Sequence, residues 1–305
     1  MFQLYKKRNF NALINDTFVF LKDDGKNFFG TYFKVIGGLL LIIIVLTFVI
    51  MRVFFENMFS GFGSPEAQQM LATYFDENVG LFIVGGLIAA LILIAISLIT
   101  MSFPVIYLAL LEHVEKPTAQ MIFARLKAKA GSIIIFALAS LITFLPIAAV
   151  LGGVSVFLFI TIIGIPVALA LWAALTCWVF LTFYNTLNGE GFFTAMGSGY
   201  RMLFQNFWAH MGSTAIFYVL SFVVQMALTL ATSLLSTLFF VAADTSGGED
   251  GAIAGIILFI ISLLINYLFS NVLIIAHGMI YYSCKEDKEH KTLFYEIDQI
   301  GSESE

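Results

Sequence analysis

The stretch that decides the fold runs from Asn9 to Phe55 and reads NFNALINDTFVFLKDDGKNFFGTYFKVIGGLLLIIIVLTFVIMRVFF. Asn15 and Asp16 lie on the polar face of its first part. The opposite face is apolar and has helical spacing: Phe10, Leu13, Ile14, Thr17, Phe18 and Leu21. After a short polar turn over 22–27, an almost unbroken apolar run extends from Phe33 to Phe55. The stretch therefore predicts an amphipathic interfacial helix that leads into a transmembrane helix.

The composition extends this prediction to the whole chain of 305 residues. Only 11% of the residues are charged and 60% are hydrophobic, whereas a soluble domain carries about 25% charged residues. Lipid must therefore be the main solvent of this protein. Because the apolar runs are continuous and do not alternate with polar residues, we expect α-helices rather than a β-barrel. The net charge of -5 and the lack of a long basic cluster argue against nucleic acid as a partner.

Six apolar runs are long enough to cross a bilayer. They are 33–55, 79–111, 132–150, 156–184, 211–241 and 252–282. The small residues Gly152 and Gly153, followed by Val154 and Ser155, predict an uncharged turn between the third and fourth runs. A short surface helix over 66–74 is expected before the second run, and Pro104 predicts a kink or an end within that run.

The six predicted spans form three pairs, and an amphipathic segment precedes each pair. The segment before the fifth span is the clearest after the first and carries apolar residues at helical spacing over 192–207. The corresponding units are 9–111, 116–184 and 189–282, and a charged tail covers 285–305. We therefore predict an all-α, polytopic membrane protein with a single integral membrane domain over 1–305, built by triplication of a helix–span–span unit.

The distribution of basic residues predicts the orientation. All Lys and Arg residues except Arg52 fall on one side of the six-span arrangement. Because short basic segments stay in the cytoplasm, we expect both termini to be cytoplasmic. Arg52 lies near the far end of the first span, where it can extend its side chain to the interface. The alternative role for Arg52 is contact with a lipid headgroup or an anionic substrate.

The fifth and sixth spans carry the most polar residues. Gln225 and Thr229 lie on the fifth span, and Asn266, Ser270 and His277 share a stripe on the sixth. If these stripes face each other, they form a polar seam. Hydrogen bonding between helices explains such a seam, and a polar cavity or a proton relay is the alternative.

No catalytic, cofactor or metal-binding motif emerges from the sequence. Cys177 lies in an apolar run and Cys284 next to the charged tail, so we do not expect them to pair. Glu112 and His113 lack the second histidine of a zinc-binding helix, and a satisfied interfacial pair is the expected role.

Three stretches carry a resemblance to a known group of proteins. They are Phe10–Leu21, Phe103-Pro104 with Tyr107-Leu108-Ala109, and Phe192–Phe207. With them the chain resembles a broad group of six-span bacterial inner-membrane proteins of unassigned role, which includes the membrane domain of some glycerophosphodiester phosphodiesterases. The resemblance implies a location in the bacterial plasma membrane. The phosphodiesterase activity does not carry over, because the chain has no room for that soluble domain.

These observations favour a non-enzymatic membrane scaffold or accessory protein that handles lipid or a protein partner. The alternative is a small-solute transporter or channel that uses the polar seam between the fifth and sixth spans. We expect membrane lipid as a partner and no cofactor, and the sequence leaves the oligomeric state open.

Overall fold

The computed structural model describes the backbone of residues 2–61, 65–243 and 249–289. Side chains are described over 2–48, 73, 79–80, 83–234, 237 and 256–288. Within these ranges the chain forms eight α-helices and no strand. The helices are α1 (Phe10–Asp23), α2 (Gly25–Gly61), α3 (Pro65–Leu111), α4 (Ala119–Leu158), α5 (Gly164–Leu187), α6 (Phe192–Gln205), α7 (Phe207–Ala243) and α8 (Glu249–Glu289).

Six of the helices in the described ranges are long and apolar enough to cross a membrane. They are α2, α3, α4, α5, α7 and α8. The prediction of an all-α, multi-pass membrane protein with six spans is thereby confirmed. The two shorter helices, α1 and α6, come from the two clearest amphipathic stretches of the sequence.

Most helices are longer than the predicted spans. The polar turn predicted over 22–27 reduces to Asp24, which separates α1 from α2. The surface helix predicted over 66–74 is the beginning of α3, and Pro104 lies inside the same helix. The amphipathic segment before the third span forms the first turns of α4 and is capped by Thr118. A continuous helix satisfies its backbone internally, and in lipid this favours extension across short polar stretches.

The turn between α4 and α5 differs from the predicted one. Gly152 and Gly153 lie within α4, which continues to Leu158. Ser155, also expected in the turn, bonds through its hydroxyl to the carbonyl of Leu151 one helical turn earlier, at 2.8 Å. The actual turn covers residues 159–163. Two adjacent glycines therefore do not end a helix in a strongly apolar segment.

The chain divides into two compact units. The first comprises Met1–Val35, Met101–Ser221 and Ser270–Glu305, and the second comprises Ile36–Thr100 and Phe222–Phe269. Four of the long helices contribute to both units. This division does not follow the three units predicted from the sequence, and the triplication stays a prediction.

Aromatic side chains form one part of the core of the first unit. Phe28 of α2 packs edge-on against Phe103 and Tyr107 of α3, with ring centroids 5.2 and 4.9 Å apart. Phe20 of α1 meets Phe28 at 6.0 Å and is fully buried. Edge-to-face packing of this kind adds to the gain from burial. It fixes α1 against the adjoining ends of α2 and α3.

Among the described residues of the second unit, the buried apolar side chains are aliphatic. They come from three helices and are Ile36, Leu40 and Ile43 of α2, Ile96 of α3, and Ile256 and Ile260 of α8. The packing of these residues depends on the shapes of their side chains.

Close backbone approach holds α6 against α5. A Cβ atom on Gly199 would lie 2.9 Å from the backbone nitrogen of Thr182 and 3.2 Å from the carbonyl carbon of Leu181. Only glycine allows this distance. Next to this contact, the indole N–H of Trp178 donates to the carbonyl of Met196 at 2.9 Å.

We predict that Gly199→Ala lowers the stability of the protein, by about 1–3 kcal/mol, because the added methyl group collides with the α5 backbone. Gly197→Ala is the matched control, since it lies on the same helix with nothing within 4 Å of its Cβ position. It should be neutral or stabilise the helix by up to about 1 kcal/mol. Thermal unfolding in detergent measures both, and equal shifts in Tm would contradict the proposed contact.

Candidate functional site

The helix α1 presents two different surfaces. Asn9 caps it by accepting a hydrogen bond from the backbone N–H of Ala12 at 2.9 Å. Leu13, Thr17 and Phe20 are buried in the first unit. Phe10 and Phe18 remain exposed, at 37% and 45% of their side-chain surface. The apolar residues of α1 thus serve two purposes, since some fill the core and others stay available at the surface.

The helix α6 likewise has a buried face and an exposed face. Phe192, Ala195 and Met202 face the core, whereas Phe193, Tyr200 and Phe204 are exposed. The exposed rings continue into α7 as a row, with centroid distances of 4.6 Å from Tyr200 to Phe204, 5.1 Å from Phe204 to Phe207, and 5.4 Å from Phe207 to Trp208. Trp208 is 76% exposed, and the exposed Arg201 follows Tyr200 directly in the chain.

We call the exposed aromatic residues of α1, α6 and the start of α7 the collar. It consists of Phe10, Phe18, Phe193, Tyr200, Phe204 and Trp208. All of these residues belong to the first unit. Aromatic rings with a basic neighbour are suited to the boundary between lipid headgroups and acyl chains.

A buried ion pair anchors the segment before α1. The Arg8 guanidinium donates through Nε to Asp16 Oδ2 at 2.8 Å and through its terminal nitrogens to the carbonyls of Leu4 and Gln3 at 2.7 and 2.8 Å. The backbone N–H of Arg8 donates to the Ser283 hydroxyl of α8 at 2.8 Å. Burial lowers the pKa of Arg8, and the Asp16 carboxylate opposes this shift. The segment is thereby tied to both α1 and α8.

This anchor was not predicted from the sequence. Asp16 was expected on the solvent-facing side of α1, but only 8% of its surface is exposed. Helical periodicity places Asp16 among polar residues, and it contains no information on a cation supplied from outside the helix.

Glu112, at the end of α3, joins three parts of the first unit. Its two carboxylate oxygens accept hydrogen bonds from the hydroxyls of Tyr5 and Tyr282, each at 2.9 Å. Its neighbour His113 is exposed. The arrangement explains Glu112 as a hydrogen-bond acceptor for two tyrosines that are far apart in the chain.

At the polar junction between α1 and α2, a carboxylate again accepts a hydrogen bond from a tyrosine. Tyr107 donates to Asp24 Oδ2 at 2.6 Å and accepts from the Asn27 amide at 2.7 Å. Burial raises the pKa of Asp24, while the hydrogen bond from Tyr107 and the charge of Lys116 oppose that shift. The carboxylate at this break between helices is therefore a partly buried acceptor with a fixed partner.

His277 lies in a buried contact between α5, α7 and α8. Its Nδ1 lies 2.7 Å from the Leu273 carbonyl and must donate to it, so Nε2 can accept from Thr214 at 3.3 Å. The ring stacks on Phe180 at 4.6 Å and is fully buried. The Thr214 hydroxyl also lies 2.9 Å from the His210 carbonyl, so its one proton is shared between this carbonyl and His277 Nε2. Both ring nitrogens of His277 thus have protein partners.

The other polar-seam residues have different surroundings. The amide of Asn266 donates to Gln225 Oε1 at 3.1 Å, and both residues are exposed. The Thr229 hydroxyl bonds to the Gln225 carbonyl of its own helix at 2.8 Å. Gln225, Thr229 and Asn266 belong to the second unit, whereas Ser270 and His277 belong to the first. Thr214, not identified from the sequence, is the seam partner of His277.

Arg52 and the two cysteines are the remaining candidate residues. Arg52 lies in the helical range of α2, but its side chain is outside the described residues. Cys177 and Cys284 are buried free thiols, and the Cys284 sulfur lies 3.7 Å from His210 Nε2. Among the described residues, no group of three or more His, Cys, Asp or Glu side chains is arranged to hold a metal ion.

Comparisons with protein families, with curated proteins and with solved structures find no match to this chain.

We predict that Arg8→Ala destabilises the protein by up to about 3 kcal/mol, because Asp16 loses its buried guanidinium and keeps only the half-exposed Lys6 ammonium, 3.2 Å from Oδ2. Lys7→Ala is the matched control. Lys7 contacts Asp287 at 2.6 Å, but its side chain is 78% exposed, and such surface pairs contribute about 0–1 kcal/mol. Unfolding measured in detergent separates the two variants. Combining Arg8→Ala with Asp16→Asn should restore part of the loss, and a lack of any recovery would argue against the ion pair as the cause.

Proposed function

We propose that this protein is a non-enzymatic scaffold or accessory protein of a bacterial plasma membrane, with both termini in the cytoplasm, and that it handles lipid or a protein partner through its collar. The observation that carries the proposal is the exposure of the collar rings on helices whose other face is firmly packed. Residues that served only to fix α1 and α6 in the fold would be covered by it.

The basic residues support the placement of the collar at the cytoplasmic surface. Lys22, Arg125, Lys127 and Arg201 are exposed on or beside the same set of helices. Positive charge beside aromatic rings favours contact with anionic phospholipid headgroups. It equally suits an acidic segment of a partner protein, and the experiment below distinguishes these two ligands.

The main test is extraction of the protein in native membrane discs, followed by mass spectrometry of the lipids and proteins that come with it. We expect enrichment of anionic phospholipid, or of a defined protein partner, over its abundance in the surrounding membrane. Phe204→Ala combined with Trp208→Ala should remove this enrichment, because it deletes half of the exposed ring row while leaving the packed face of α6 intact.

Leu230→Ala combined with Leu234→Ala is the control for this experiment. Both leucines are exposed on α7, at 59% and 67%, but neither belongs to the collar. The control should retain the enrichment of the unaltered protein. If the unaltered protein enriches neither a lipid class nor a protein, the proposal is wrong.

One observation favours the alternative, a small-solute transporter or channel. Gln225 and Asn266 expose amide groups on helices that are long and apolar enough to cross a membrane, and polar groups at membrane depth usually face protein or water. A water-filled path beside these amides would satisfy them. The bond between the two amides and the internal bond of Thr229 weigh against it, since both use polar atoms that a solute would need.

The alternative predicts that the protein accelerates the entry of glycerol into liposomes, and that Gln225→Leu with Asn266→Leu abolishes this effect. Light scattering after rapid mixing measures the flux. The double variant should remain folded, because leucine suits a lipid-exposed helix face. Glycerol entry no faster than into protein-free liposomes would count against the transporter.

A further inference from the structure

The turn between α4 and α5, residues 159–163, has an unusual composition for a connection between two membrane helices. It reads Phe-Ile-Thr-Ile-Ile and contains no charged residue. The whole stretch 130–189 contains no Asp, Glu, Lys, Arg or His. By contrast, the two other segments predicted on the same side of the membrane, 56–78 and 244–251, both carry several acidic residues. The α4–α5 turn therefore lacks the charges that would hold it in water.

The apolar side chains of this turn point away from the protein. Ile160, Ile162 and Ile163 are 78%, 88% and 82% exposed, and Phe157 at the end of α4 is 74% exposed. Contiguous exposed apolar surface of this kind needs a partner or an apolar solvent.

Several polar groups of the hairpin end bond within it. The Thr161 hydroxyl donates to the Leu158 carbonyl at 3.2 Å and accepts from the Gly164 N–H at 3.0 Å. Backbone N–H groups of Phe159 and Thr161 donate to carbonyls at 2.9 and 3.0 Å. Pro166 removes one more donor from the first turn of α5. Three of the five amide N–H groups of the turn, those of Phe159, Ile160 and Thr161, thus bond within the chain, whereas those of Ile162 and Ile163 have no backbone acceptor.

Further along the hairpin, the polar group of Trp172 also bonds within the protein. The indole N–H of Trp172 donates to the Ser155 hydroxyl at 3.0 Å, and Ser155 itself is buried. A tryptophan near the headgroups normally directs this N–H outward to water or lipid. Here it is directed into the protein, as an environment without hydrogen-bond partners requires.

The turn is also compact. A Cβ atom on Gly164 would lie 1.9 Å from the Leu158 carbonyl oxygen, so glycine is needed for the chain to return at this distance. The helix lengths allow the turn to stay within the bilayer only if the hairpin is strongly tilted. At 1.5 Å per residue, residues 130–158 measure about 43 Å and α5 about 36 Å, against roughly 30 Å of hydrocarbon. Tilting shortens the depth that such helices cover and can keep their ends within the bilayer.

We propose that the α4–α5 turn is immersed in the acyl chains of the bilayer and does not emerge on the far aqueous side. On that side, the connections over 56–78 and 244–251 would then lie in water, and the α4–α5 turn would lie in lipid. The occupant of the exposed surface around Ile162 is lipid. The proposal depends on the composition and hydrogen bonding of the turn and is independent of what the collar binds.

The test uses Ile162→Cys in the otherwise unaltered protein, whose two cysteines are buried and should react slowly. Ser246→Cys, in the acidic segment 244–251, is the control. A membrane-impermeant maleimide should label Ser246→Cys from one face of sealed membranes. It should label Ile162→Cys from neither face, with a rate at least about tenfold lower, because hydrocarbon disfavours the reactive thiolate. Labelling of Ile162→Cys at a rate similar to that of Ser246→Cys overturns the proposal.

A fluorescence measurement identifies the occupant. Ile162→Cys is modified in detergent with the environment-sensitive dye NBD and reconstituted into vesicles of phosphatidylethanolamine and phosphatidylglycerol. We expect quenching by doxyl groups on the acyl chains and none by aqueous iodide. Quenching by iodide would place the turn in water, and protection from both quenchers would place a protein against it. Either result contradicts immersion in lipid.

A charge substitution provides a further check that does not need labelling. Ile162→Arg should reduce the yield of correctly inserted protein, because a charge in hydrocarbon is costly, whereas Ser246→Arg should not. Equal yields of the two variants would show that the turn is in water.

Discussion

Hydrocarbon offers no hydrogen-bond partners, and the chain must satisfy its own polar groups wherever lipid surrounds it. Hydroxyl groups along the long helices do so by donating to the carbonyl four residues earlier, at 2.7–2.8 Å. The donors are Thr143, Ser155, Thr182, Thr186, Ser221 and Thr229. A serine or threonine in these helices is therefore a weak indication of a polar path, because its hydroxyl is engaged by its own backbone.

The sequence predicted the class of the fold because that class follows from quantities local to the chain. The length and apolarity of each run suffice to predict six spanning helices, and periodicity suffices to identify α1 and α6. The breaks between helices were harder to predict. Gly152 and Gly153 were expected to form a turn, yet the helix continues through them, because a break in lipid exposes backbone groups that a glycine cannot satisfy. The turn forms where Gly164 allows the chain to approach Leu158 closely, a property of the folded backbone.

Part of the candidate site was also predictable, because it too depends on properties local to the chain. The aromatic content of α1 and α6 was visible in the sequence, but which rings would be buried and which exposed depended on the rotation of each helix about its axis. Pairings between distant residues, such as Arg8 with Ser283 or Thr214 with His277, leave no periodic signal. Their partners are chosen by the packing of whole helices, and a single sequence contains no record of that packing.

The N-terminal segment has a consequence for how the protein is made. Arg8 bonds to Ser283, 275 residues later, and Tyr5 and Tyr282 share the Glu112 carboxylate. The bonds to Ser283 and Tyr282 require α8, which is synthesised after α1 to α7. Until then, Arg8 can bond to Asp16 of α1 and Tyr5 can bond to Glu112 of α3. The segment before α1 therefore reaches its full set of contacts only after α8 has been made.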